Sequence, residues 1–256
     1  MKLKKAELKE FLDEKVELYN RPSFIELDPI SIPHRFSKKE DIEISGFLAS
    51  TIAWGNRKMI LRNADRIMSL IDDSPFDFIL NSDEQDLERI EGFVHRTFNS
   101  LDLIYFLKAL KNIYKTKGGL ESVFNEHKTG ESLITSIHNL NILFFELPHS
   151  KRTERQVSDP FKGSAAKKLN MFLRWMVRND DRGVDFGIWK RIKPSDLFIP
   201  LDIHSGNTAR KLGLLKRKQN DFKAVEELTS VLRQFDPDDP VKYDFALFGL
   251  GVNEKF

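Results

Sequence analysis

The chain has no cysteine among its 256 residues. That absence excludes disulfides, Cys-ligated zinc, iron–sulfur clusters and cysteine nucleophiles together. No apolar run is long enough to span a bilayer, so no membrane partner is expected. The opening MKLKKAELKEFLDEKVELYN lacks the uncharged apolar stretch of a signal peptide and reads as an amphipathic helix, which makes a cytoplasmic location the expectation. Alternating β patterns are scarce, and there is no internal repeat or low-complexity tract. Gly-rich nucleotide loops and Ser/His/Asp nucleophile spacings are missing, and the six histidines are scattered. No cofactor and no metal are therefore expected.

What is present is an ordinary globular composition. Hydrophobic residues make up 40% and charged residues 31%, with a mean hydropathy of −0.41. The length suits one large domain or two small lobes with a substantial core. Apolar periodicity predicts helices over about 4–18, 39–54, 57–72, 101–116, 130–145, 165–178, 203–212, 221–234 and 240–249. The fold class is thus all-α. Asp28-Pro29 and Ile32-Pro33 predict an extended connector over 21–36, and Gly118-Gly119 closes a helix. The polar stretch 148–164 reads as a long loop or a lobe boundary.

The net charge of +2 conceals an asymmetry. Residues 151–219 carry 17 Lys+Arg against 7 Asp+Glu, whereas 1–150 carry 20 against 24 and 220–256 carry 4 against 8. A basic block in an otherwise acidic chain points to a phosphate-rich partner. Within it, Gly163-Ser164-Ala165-Ala166-Lys167-Lys168 opens a helix running to Arg178. At about 100° per residue, Leu169, Phe172, Leu173 and Met176 form a core-facing stripe, while Arg174 and Arg178 fall within about 20° of Lys167 on the opposite face. That face is either an ordinary solvated one or a phosphate-binding one. The small residues at its start would let a phosphate approach closely. Further on, Leu201-Asp202-Ile203-His204 places Asp202 as the N-cap of a helix that ends at Arg210-Lys211-Leu212-Gly213. Asp202-x-His204 is also a possible metal pair, but no further ligand lies at metal spacing.

Together the two segments resemble the helix-hairpin-helix DNA glycosylase superfamily, which includes endonuclease III and the 8-oxoguanine glycosylases. Gly163-Ser-Ala-Ala-Lys167 matches the hairpin-to-lysine step, Leu201-Asp202-Ile203-His204 the aspartate step, and Arg210-Lys211-Leu212-Gly213-Leu214 the basic-Leu-Gly ending. The resemblance implies an all-α fold of two helical lobes around a cleft, with 1–256 as a single glycosylase-like unit and about 151–219 as its functional segment. It implies Lys167 as amine nucleophile, with Lys168 its neighbouring rival, and Asp202 as essential carboxylate. Gly163, Ser164, Lys168, Arg174, Arg178, Arg210 and Lys211 would bind duplex DNA, and Trp175, Phe186 and Trp189 would line a base pocket. Of the usual Leu-Pro-Gly-x-Gly hairpin only Gly163 remains. The stretch between Arg178 and Asp202 is an insertion, with a short helix expected at 184–191. The chain is also similar, through DPISIPHRF, EISGFLA, LNMFLRWMVR and DPVKYDFALFGLG, to a bacterial family of unknown function, a resemblance that brings no activity. Three readings follow: a glycosylase or glycosylase/lyase, a non-catalytic nucleic-acid binder of the same fold, and an interaction module whose basic surface meets an acidic protein.

Overall fold

The computed structural model describes residues 4–126 and 133–256. Its helices are α1 (Lys5–Tyr19), α2 (Lys39–Thr51), α3 (Arg57–Leu70), α4 (Pro75–Asn81), α5 (Glu84–Glu88), α6 (Ser100–Lys117), α7 (Leu120–Glu126), α8 (Leu133–Phe144), α9 (Lys167–Val177), α10 (Ile203–Lys211), α11 (Phe222–Arg233) and α12 (Tyr243–Asn253). The first residues of the helix expected at 130–145 lie outside the described residues. Two-residue strands β1 (Val94–His95) and β2 (Phe98–Asn99) pair antiparallel, so the described chain is mostly helical. No described helix is long and apolar enough to cross a membrane.

The chain divides into two compact units: residues 26–159, and residues 1–25 with 160–256. The boundary at 159/160 falls inside the polar stretch 148–164. That stretch carries two short 3-10 turns, Lys151–Gln156 and Pro160–Lys162. The connector expected to be extended over 21–36 is instead a series of 3-10 turns. Each proline there starts a turn, where its missing N–H costs nothing.

In the 26–159 unit, rings fill the core. Phe106 meets Phe144 at 4.7 Å and Phe98 at 5.2 Å, and Phe47 meets Phe144 at 5.5 Å, in the tilted and edge-on arrangements aromatic rings prefer. Helix α6 starts where the Asn99 side chain accepts from Asp102 N, and it ends at Gly118 with φ 76°. Asp102, fully buried, also takes Arg152 Nη1 at 2.9 Å and Thr153 Oγ1 at 2.7 Å, which ties 151–156 onto the start of α6.

In the other unit, α9 is buried on all sides from Leu169 to Val177. Helix α12 carries two glycines that let its neighbours close in. A Cβ on Gly249 would lie 2.2 Å from Cδ2 of Tyr19 on α1, and one on Gly251 would lie 3.1 Å from the His204 carbonyl on α10. The YDFALFGLG segment is thus a packing surface for both ends of the chain. The helix expected at 184–191 does not form. Phe186 N and Trp189 N donate instead to the carbonyls of Trp175 (2.8 Å) and Met176 (2.9 Å). They satisfy acceptors that the end of α9 would otherwise leave open. Gly183 (φ 71°) and Gly187 (φ 56°) allow that irregular path.

Candidate active site

The candidate residues lie at the starts of α9 and α10, with Asp244 at the start of α12, all in the unit formed by 1–25 and 160–256. Gly163, at φ 84°, turns the chain into α9, and its carbonyl accepts from Phe222 N at 3.1 Å. Ser164 bridges to Asp221, so the opening is pinned to the start of α11. Space around the Gly163 Cβ position is open, so the left-handed backbone, not close approach, is what asks for glycine there. Ala166 caps α9 at φ 47°, a conformation that residues with a Cβ seldom adopt and that collects at functional sites. Lys167 and Lys168 follow as the first two residues of the helix, each half-buried. Burial, with the Lys167 charge beside it, pushes the Lys168 amine down to about 8.

Asp202 is the N-cap of α10, as its sequence position implied. It accepts from Ser205 N at 2.9 Å and Ser205 Oγ at 3.1 Å. Both bonds fall on Oδ1, so Oδ2 takes no part in the cap. The buried segment Ile199–Leu201 leads into it, with Ile199 N donating to Thr229 Oγ1 at 3.2 Å. The contact of His204 with Phe248 and Gly251 lays the start of α10 along α12.

The face that carries Lys167, Arg174 and Arg178 is not solvated. Both arginine side chains are only 3% exposed, and they meet aspartates. Asp185 bridges them, at 3.2 Å from Arg174 Nε and 3.1 Å from Arg178 Nη1. Arg174 Nη1 pairs with Asp244 Oδ2, while Arg178 reaches Asp239 at 2.8 Å and Asp180 at 2.7 Å. Both guanidiniums lie over the Phe245 ring, Arg174 at 4.3 Å. A guanidinium at this depth must be compensated, and four carboxylates do it. The expectation that Arg174 and Arg178 offer an open phosphate-binding face is therefore corrected: their donors are spent inside the unit.

Asp244 on the first turn of α12 was not singled out from the sequence. Burial raises its carboxyl to about 6; Arg174 and Lys167 act to lower it, while Asp202 and Asp185 act to raise it further. Two signals could have found it: an aspartate at the head of the apolar FALFGLG run, and two arginines on a buried helix that require counter-charges.

The other expected contacts divide. Trp175 and Trp189 are fully buried core residues, and Trp189 packs edge-on to Phe172 at 5.5 Å, which removes both from the surface expected to line a base pocket. Phe186 is half-buried. Arg210 is tied down by Arg217 O at 2.7 Å and Asn220 Oδ1 at 2.5 Å, whereas Lys211 is exposed. Among the described residues no three His, Asp or Glu side chains gather as a metal site.

A family model for a protein of unknown function, DUF2400, matches residues 28–253. No curated protein and no solved structure matches the chain. The matched span takes in the lysine pair, Asp202, the buried arginines and Asp244, and on that coverage the chain belongs to the DUF2400 family, the family of unknown function its sequence blocks resemble.

Proposed function

We propose that this protein is a DNA-binding enzyme of the base-excision type, a DNA glycosylase with abasic-site lyase chemistry. On this reading its two compact units correspond to the two helical lobes of the helix-hairpin-helix glycosylase fold. The observation that carries the proposal is that Lys167 and Asp202 both stand at helix starts in one compact unit, with the Asp202 carboxylate held through Oδ1 by Ser205. An amine and a carboxylate from distant segments, each fixed at a helix start, are the two groups that displacement of a base requires. Duplex DNA binds the exposed Lys190, Arg191, Lys193, Lys211, Lys216 and Lys218. A damaged base leaves the stack. The Lys167 amine forms a bond to the sugar C1′ as the C1′–N glycosidic bond breaks and its electron pair leaves with the base. Asp202, held by its cap through Oδ1, offers Oδ2 to the positive charge that develops on the sugar. The resulting Schiff base opens the route to strand cleavage.

A non-catalytic nucleic-acid binder of the same fold is the second reading, supported by those exposed cations together with the loss of Arg174 and Arg178 to internal pairs. Mobility shifts at two salt concentrations, paired with single-turnover base release across a panel of lesions, separate the two. The enzyme reading expects salt-sensitive binding and base release that falls by about 100- to 1,000-fold in Asp202→Asn. Salt-sensitive binding without release from any lesion would favour the binder, and no binding at low salt would overturn both.

A further inference from the structure

We infer that residues 26–159 carry a nucleic-acid-binding surface of their own, formed by the outer face of α3 and the β1–β2 hairpin and fitted to the phosphate backbone of duplex DNA. The inference goes beyond the reading above, which places DNA on cations of the other unit, and it stands whether or not a base is released.

The surface starts from the α3 sequence. Ile60, Asn63, Ala64, Ile67 and Met68 are its buried side. At about 100° per residue, Lys58, Arg62 and Arg66 fall within about 80° of one another on the opposite side, and all three are exposed. Four residues of helix rise about 6 Å, so these cations stand one turn apart in single file. That step is comparable to the distance between neighbouring phosphates along a nucleic acid strand.

The hairpin extends the row. Arg66 lies over the Phe93 ring at 5.6 Å, Asn63 Nδ2 meets His95 Nδ1 at 2.9 Å, and the His95 ring reaches the Trp54 carbonyl at 3.2 Å. The hairpin therefore runs beside the first half of α3. At its bend, the exposed Arg96 lies over the Trp54 ring at 4.7 Å, and a Cβ on Gly55 would stand 3.0 Å from its Nη1. Arg96 holds φ 56°, a left-handed conformation that glycine or asparagine takes more easily. An arginine kept at such a bend and laid outward across a ring is placed there for its charge.

Among the described residues, none of Lys58, Arg62, Arg66 and Arg96 pairs with a carboxylate. The acids nearby are taken by cations outside the row: Arg35 holds Asp65 at 2.8 Å and also Asp73, and Arg89 holds Asp72 at 3.0 Å. Glu91, exposed at the foot of the hairpin, is set against four cations. Rings steady Arg66 and Arg96 without neutralising them, so their donors stay open to phosphate oxygens. A regular row of unpaired cations matches a regularly spaced polyanion, whose counterions it can displace.

The test is binding of the intact protein to a short lesion-free duplex, read by anisotropy of the labelled DNA across a salt series. Arg62→Gln/Arg66→Gln should weaken binding at low salt by about 10-fold or more and flatten the slope of log affinity against log salt by about 2, one for each lost phosphate contact. Lys38→Gln/Lys115→Gln, an equal charge loss at exposed positions elsewhere in the same unit, should change affinity by less than about 2-fold. Trp54 supplies a local readout: it is half-buried whereas Trp175 and Trp189 are fully buried, so quenching by acrylamide reports on Trp54. Saturating DNA should reduce that quenching. The inference is overturned if Arg62→Gln/Arg66→Gln binds like wild type, if the control variant weakens as much, if bound DNA leaves Trp54 equally quenched, or if polyglutamate displaces the duplex as well as unlabelled duplex does, which would make this an acidic-protein surface. The Trp54 measurement on wild type decides the matter even if a variant fails to fold. Binding with these signatures but no base release from any lesion overturns the glycosylase reading and leaves this surface standing, whereas a wild type that binds no DNA at low salt overturns both.

Discussion

Residues 26–159 are organised around rings: Phe47, Phe98, Phe106 and Phe144 fill the middle, and buried polar groups such as Glu43 with Tyr114 (2.5 Å), Asn63 with His95 (2.9 Å) and Asp102 with Arg152 (2.9 Å) belong to the same unit. The unit of residues 1–25 and 160–256 puts ions at the same depth, with Arg174 and Arg178 threaded between Asp185, Asp244, Asp239 and Asp180. The ring core needs no explanation beyond burial of apolar area. The ionic core does, because a buried ion network of this kind is a weak source of stability and apolar residues of similar volume commonly do as well. What the ions add is placement. Arg178 and Asp185 brace Arg174, and Arg174 fixes Asp244 at the start of α12. One interior is closed by rings, and the other adds an ion network that ties α9 to the 180–185 segment and the start of α12.

Conservative substitutions break or sharpen that contrast. Asp185→Asn keeps shape and removes charge, and it should cost about 3–5 kcal/mol by chemical denaturation because two buried guanidiniums lose their shared partner. Phe144→Leu in the ring core should cost less than about 1.5 kcal/mol, since a similar apolar volume stays in place. Comparable small losses from both would remove the distinction between the two interiors.

Gly249→Ala is next in size. The Tyr19 ring stands where the new Cβ must go, so about 1–3 kcal/mol is expected, with earlier proteolysis of α1 as the accompanying sign. Unchanged stability and unchanged proteolysis would mean that α1 is not held by this contact.

At Asp202 the stability effect should be smaller still. Asp202→Ala should lose about 1 kcal/mol with the cap, and Asp202→Asn, which caps about as well, should melt close to wild type. A large loss in Asp202→Asn would give its charge a structural role as well.

The mildest effect concerns Lys168. Its folded-state amine stands at about 8 against 10.5 when unfolded. Between those values the unfolded chain binds a proton that the folded chain has released. The contribution of this group to stability therefore rises with pH across that window, and it is lost as pH falls toward 8. Lys168→Met should flatten the stability–pH slope between 8 and 10.5 and leave the slope below 8 alone.

Most of the helical skeleton was legible because the long helices carry periodic apolar faces and side-chain caps. Asn56, Asp202 and Asp221 each accept from the backbone at a helix start. Helices α4, α5 and α7 escaped because five to seven residues are too few to show a period. The β1–β2 hairpin escaped because Arg96, at φ 56°, turns a bend that sequence normally signals with glycine or asparagine. For the candidate site, the cap role of Asp202 was legible from its place before a helix, whereas Lys167 and Lys168 were singled out through the family resemblance. The fate of Arg174 and Arg178 was not legible: a helical wheel marks which residues share a face, and only tertiary packing decides whether that face meets water or carboxylates. Asp244 was hidden by the same gap, since its meaning depends on partners 42 to 77 positions away in sequence.

The central proposal is that Lys167 acts as a nucleophile with Asp202 as its partner carboxylate, and borohydride trapping on DNA with an abasic site tests it most directly. The account predicts a covalent protein–DNA adduct that peptide mapping places on Lys167, lost in Lys167→Gln and retained in Lys168→Gln. A folded wild type that binds this DNA and traps nothing, or an adduct that persists in Lys167→Gln and maps to another amine, would contradict it.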